Sequence, residues 1–249
     1  MKSAIPTASG LGNTVLLSCG VGLVAVVALA AALVSRSAVP DTAFHMAGHR
    51  VVFPDGTALT VQKHEVTVAQ WHACYSAGAC VLQLRAAPHP SDATWPATGL
   101  SHADATQYLA WVNARTRQKF RLPTLQEWEF IAATVRPPDP DPIFTDPDLS
   151  WASAYLLAPH VSRTLLPQGA FSTTPQGISD LNGSVWEWTS SCYAGVNTDA
   201  TTTNHCPAYF VGGDHVAAMP YLVCDPARGG CAVGTPPAHL GMRLVSDKY

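Results

Sequence analysis

Apolar positions fall into three kinds of pattern along this chain. The first is an unbroken run: Thr14–Val34, TVLLSCGVGLVAVVALAAALV, holds 21 residues and no charge. A helix of that length crosses a hydrocarbon layer of about 30 Å. The apolar region of a signal peptide spans only about 7–15 residues, so the run reads as an uncleaved transmembrane anchor. The second pattern has helical spacing. Ser101–Arg115 repeats Ala105, Tyr108, Leu109 and Val112 behind a capping Ser101, a stripe that serves core packing and not a cofactor. Thr124–Thr134 opens on a capping box of Thr124 with Glu127, carries Glu127 and Glu129 in its positive first turn, and supplies Trp128, Phe130 and Ile131 as apolar bulk. Val68–Ser76 predicts a shorter helix that Gly78 ends. The third pattern is strand-like. Phe44–Thr67 reads as short strands around a Pro54-Asp55-Gly56 turn, and Asn182-Gly183 is a turn ahead of an alternating strand, Val185-Trp186-Glu187-Trp188.

These elements divide the chain into a polar tail (1–13), the anchor (14–34), a brief linker (35–42) and one domain (43–249). Twenty prolines and eighteen glycines predict a loop-rich domain with short regular elements. The stretch 137–147 alternates Pro with Asp and terminates the third helix. Its aspartates and the next one, at 139, 141, 146 and 148, lack the spacing of a calcium-binding helix–loop–helix, so a solvated acidic loop is expected. His45 and His49 stand four apart in an extended context, where they do not converge on a metal. Charged residues make up only 12% of the chain, the net charge is -3, and no Lys/Arg cluster exists, which excludes nucleic acid as a partner.

Lys2 and the amino terminus flank one end of the anchor, Arg36 and Asp41 the other. We read the N-terminus as inside and the domain as outside. The cysteines agree. Cys19 lies in the apolar run as a small hydrophobe. The other six form three sequence-local pairs, Cys74/Cys80, Cys192/Cys206 and Cys224/Cys231. Six cysteines permit about fifteen connectivities, of which local pairing is the simplest. Such bridges persist in an oxidising compartment, such as a bacterial periplasm. The expected location is therefore the bacterial inner membrane, single-pass, with the large domain periplasmic. Zinc is not expected, since no CxxC or closely spaced Cys/His set occurs.

Several motifs carry a resemblance. Arg121–Ile131, RLPTLQEWEFI, resembles the RLPTEAEWE signature of formylglycine-generating enzymes and sulfatase-modifying-factor domains. Phe44–Gly48 looks like the opening FxMG strand of that family, Glu65–Trp71 its EVTxxQY segment, and Gly99–Trp111 its VSWxDAxxYxxW helix. Gly177–Trp188, GISDLNGSVWEW, is similar to GLYDMHGNVWEW, and Leu240–Arg243 to LGFR. The resemblance spans about 43–245 in the order of the family. It implies an α+β, loop-rich, formylglycine-generating-enzyme-like domain related to C-type lectins. It also implies a calcium ion held by the carbonyls of Asn182, Gly183 and Val185 and the carboxylate of Glu187. The alternative for Glu187 is a pair with a core arginine.

In catalytic members a GGS segment precedes two cysteines that bind copper(I), activate oxygen and convert a cysteine in a sulfatase to formylglycine. Soft thiolates suit that ion. Here Val211-Gly212-Gly213-Asp214-His215 stands at the GGS position, and Ala217 and Leu222 stand where the thiols would be. A copper-thiolate centre is therefore not expected. A shifted alignment would pair Cys224 with Cys231 at the wrong spacing. Asp214, His215, Met219 and His239 remain candidates for a binding loop, and His215, Met219 and His239 for a different metal site.

The Cys74/Cys80 and Cys192/Cys206 pairs resemble a bacterial branch without catalytic cysteines. The resulting expectation is a membrane-anchored, non-catalytic module that docks on a protein partner as an accessory subunit, through the anchor or the long loops 136–176 and 193–223. Alternatives are a maturation enzyme or oxidoreductase, and a carbohydrate or small-ligand receptor.

Overall fold

The computed structural model describes residues 48–84, 92–116, 118–136, 164–193, 206–224 and 239–247, with 141, 143–146, 149, 153 and 156. The anchor, the linker, His45, Asp139, Asp148 and Cys231 lie outside the described residues. Among the described residues no helix is long and apolar enough to cross a membrane.

Two four-stranded sheets organise the domain. The first runs β1 (Gly48–Val52), β2 (Ala58–Gln62), β8 (Val245–Ser246), β3 (Phe120–Arg121), all antiparallel. Its hairpin forms where the Pro54-Asp55-Gly56 turn predicts it, with Gly56 at φ 85° and Asp55 accepting from the Thr57 amide at 2.9 Å. The second runs β6 (Val216–Pro220), β5 (Ala208–Gly212), β4 (Val185–Tyr193), β7 (His239–Gly241), with β7 parallel to β4.

The helices are α1 (Val68–Ser76), α2 (His102–Arg115) and α3 (Leu125–Ala132). Each begins with a capping box: Thr67 with Gln70, Ser101 with Asp104, Thr124 with Glu127. Each cap contributes about 1 kcal/mol. At α3 the Glu127 carboxylate also takes both terminal nitrogens of Arg121, at 2.7 and 2.8 Å. Burial works to raise the Glu127 pKa, yet the Arg121 guanidinium and the Thr124 amide hold it below the ordinary carboxylate range. The arginine of the RLPT stretch is thus a clamp on the helix start, and it reaches Asp247 near the C-terminus as well.

Strand β4 does not alternate between core and solvent, because Val185 to Thr189 are all buried. It runs between two apolar clusters. Trp186 and Trp188 pack with α1, α2 and β6 residues such as Trp71, Tyr108 and Met219. The second cluster joins Trp128 and Ile131 of α3 to Val51, Leu59, Val61 and Val245 of the first sheet. Between them, Glu187 points away from Trp186 and Trp188 by the two-residue period of the strand. A buried charge between two cores is the feature around which the site is built.

Candidate functional site

Glu187 is only 1% exposed. Its Oε2 accepts from the Trp128 indole nitrogen at 2.9 Å, and Arg243 donates to both oxygens, Nε at 3.1 Å to each and Nη2 at 2.7 Å to Oε1. Arg243 is equally buried and donates further to the carbonyls of Gln62, Lys63 and Ser179 at 2.9, 2.6 and 2.8 Å. Burial disfavours its charge, but Glu187 and Glu65 more than compensate, and its pKa is raised. The pairing of Glu187 with a core arginine is what the fold contains. The carboxylate accepts N–H groups on both oxygens and has a fixed positive charge beside it. The residues present therefore do not fit a calcium ion on Glu187.

Around this pair lie three residues the sequence motifs did not single out. Glu65 is 2% exposed, its Oε2 has no hydrogen-bond partner, and it stands 3.9 Å from Arg243 Nη2. Burial pushes its carboxyl up to about 8, against the pull of Arg243. Asp180 adopts φ 71°, a left-handed conformation that Asp tolerates. Its carboxylate accepts from the Gly169 and Phe171 amides at 2.7 and 3.1 Å and from His64 Nδ1 at 2.7 Å. Glu65 and Asp180 share a shallow cleft with Gln168, Phe171 and Val185. Glu65 and Asp180 stand inside two of the motifs that carry the family resemblance, Glu65–Trp71 and Gly177–Trp188. The sequence carries no comparable signal for His64.

The remaining candidates separate. Asn182 exchanges hydrogen bonds with Ser172. Gly183 is packed so that a Cβ would lie 2.7 Å from the Asp180 carbonyl. Val185 pairs with His239 across the parallel β4–β7 ladder. Asp214 and His215 sit in the turn between β5 and β6, where burial raises the Asp214 pKa and the neighbouring His215 opposes it. His215 packs edge-on against Trp186 at 4.4 Å. Met219 is not in a binding loop; it is fully buried in the core. Strands β6 and β7 stand at opposite edges of the sheet, three strand spacings or about 14 Å apart. Met219 and His239 therefore cannot share a metal. Nor is 193–223 one long loop, because 208–220 forms the β5–β6 hairpin.

Gly212 and Gly213 are there for packing. A Cβ at Gly212 would fall 2.3 Å from the Trp128 ring, and one at Gly213 would fall 2.4 Å from Trp186. Beyond them Ala217 is buried at 1% exposure, paired with Val211, whereas Leu222 is 64% exposed. The bridges Cys74–Cys80 and Cys192–Cys206 are formed. The expected third bridge is not: Cys224 is a free, exposed thiol. Proximity in sequence was its only basis, and bridging requires Cα atoms within about 7 Å and converging Cβ vectors.

Among the described residues the domain is α+β, with two sheets, three box-capped helices and a buried arginine–glutamate pair behind a tryptophan-rich strand, and its fold is formylglycine-enzyme-like. The family model described as the sulfatase-modifying factor enzyme 1-like domain matches 28–248, and the chain belongs to that family. It is 25% identical over 188 residues to a formylglycine-generating enzyme from Mycobacterium tuberculosis, a match covering 61% of this chain and 57% of the enzyme's length. In structure it is similar to PvdO from Pseudomonas aeruginosa, with a TM-score of 0.50 and 15% identity over 77% of this chain and 81% of that one. It also resembles Treponema denticola variable protein 1, with a TM-score of 0.48 and 15% identity over 81% and 95% of the two chains.

Proposed function

We propose that this protein is a membrane-tethered, non-catalytic member of its family, with its domain on the periplasmic side, acting as an accessory or docking subunit for a protein partner. The observation that carries the reading is Ala217. It occupies the first thiol position as a buried methyl within the β5–β6 hairpin, with Met219 beside it in the core. An alanine supplies no ligand for a copper ion and no group to exchange with a substrate cysteine. The second thiol position, Leu222, presents an exposed aliphatic chain instead. The two bridges support an oxidising compartment, and the uncharged run 14–34 supports the tether.

One observation favours the maturation-enzyme alternative. Cys224 is a free thiol whose carbonyl lies 4.0 Å from the Cβ position of Gly99, two residues after Leu222. A single assay separates the readings. The full-length protein, loaded with copper(I), is incubated in air with a cysteine-containing sulfatase peptide, and the peptide is read by mass spectrometry. Unchanged peptide, with a stable partner recovered from mild detergent, is expected. Conversion of the peptide cysteine to formylglycine would overturn the proposal.

A further inference from the structure

We infer that Arg243 is the resident cation beneath the signature strand, and that the domain folds around this guanidinium with no calcium at Glu187. This goes beyond the docking proposal and holds whether or not the domain is catalytic.

Five oxygen atoms converge on Arg243: both of Glu187, and the carbonyls of Gln62, Lys63 and Ser179. They come from the end of β2, the loop before the Asn182-Gly183 turn, and β4. A cage of carboxylate and carbonyl oxygens from separate segments is the donor set that a hard dication takes, at about 2.3–2.6 Å. Here the separations from nitrogen run from 2.6 to 3.1 Å, which are N–H···O lengths.

The counting closes on both sides. A guanidinium has about five N–H groups in a planar fork. Nε points at Glu187, Nη1 meets Gln62 and Lys63, and Nη2 meets Ser179 and Glu187. A carboxylate offers about four lone-pair directions. Glu187 accepts two contacts on each oxygen, three from Arg243 and one from Trp128. Arginine does not deprotonate in proteins, so a dication at Glu187 would meet a permanent positive charge within hydrogen-bond distance. Asp180, the nearest alternative carboxylate in the loop, is already engaged by two amides and His64.

The test compares thermal unfolding of the full-length protein in detergent with excess chelator and with millimolar calcium, for the wild type and for Glu187→Gln. The expected result is that Glu187→Gln lowers the midpoint by the same amount in both conditions. Calcium bound anywhere else shifts both proteins together and leaves that difference intact. A calcium-induced rise of about 5 °C or more in the wild type that vanishes in Glu187→Gln would overturn the inference. Should Glu187→Gln fail to fold, Glu187→Asp, which keeps the charge for Arg243 but withdraws the carboxylate, takes its place in the same comparison. An equal midpoint difference in chelator and in calcium supports the guanidinium, and a calcium-induced rise of about 5 °C or more that the variant lacks refutes it.

Discussion

The backbone of Gly213 lies against the face of the Trp186 indole, so close that a Cβ there would fall 2.4 Å from the ring. Trp186 is fully buried and cannot retreat. Gly213→Ala is expected to cost about 1–3 kcal/mol through forced repacking, and Gly212→Ala against Trp128 a similar amount. Gly56→Ala, in open space at φ 85°, should cost only about 1 kcal/mol for its backbone conformation. Urea unfolding of the three variants checks the order.

Arg243→Met removes the partner of a carboxylate that has no access to water. A loss of about 3–5 kcal/mol is expected, because breaking one side of a buried pair leaves the other charge uncompensated. Adding Glu187→Gln to that variant should recover part of the loss, which a double-mutant cycle measures directly.

Glu65 gives the fold a pH dependence of definite sign. Its folded-state pKa is raised to about 8 from 4.5 by burial, with Arg243 opposing and Glu187 and Asp180 assisting. Between those values the unfolded chain has released the proton while the folded one retains it, so stability falls as pH rises from about 5 to about 8. Glu65→Gln should flatten that slope. Denaturation midpoints from pH 5 to 9 that run parallel for the two proteins would contradict the assignment.

The two bridges close loops of different length, with sequence separations of 6 and 14. The chain-entropy relation gives about 2 kcal/mol for Cys74–Cys80 and about 3 kcal/mol for Cys192–Cys206. Paired serine substitutions should therefore lower the unfolding free energy more at the second bridge than at the first.

Native alkylation should label Cys224, which is free and exposed. Peptide mapping without reduction identifies the adduct. Recovery of that peptide joined to Cys231 instead would restore the third bridge.

Much of this fold was legible from local signals. Thr124 with Glu127 announces α3, Ser101 announces α2, and Gly78 ends α1 with φ 70° as a C-terminal glycine should. These features act within a few residues, so a single sequence exposes them. The site was less legible. Glu187 was recognised, but its partner lies 56 residues away, and the Glu65–Arg243 approach joins still more distant segments. The same holds for β4: Val185-Trp186-Glu187-Trp188 is expected to alternate, yet the strand is buried from Val185 to Thr189 because α3 and the first sheet pack behind it. Met219 looked like a ligand in a loop because nothing local distinguishes a thioether ligand from a core filler.

Strand β8 pairs with β2 on one side and β3 on the other, so the last few described residues complete a sheet whose other strands come early in the chain. Until Val245 and Ser246 are synthesised, β2 and β3 each present an unmatched edge, and Arg243 has not arrived to meet its carboxylate. Final assembly of this sheet therefore waits until residues 243–246 have emerged from the ribosome. A chain cut just before Arg243 should yield a species destined for quality-control proteolysis rather than a working domain.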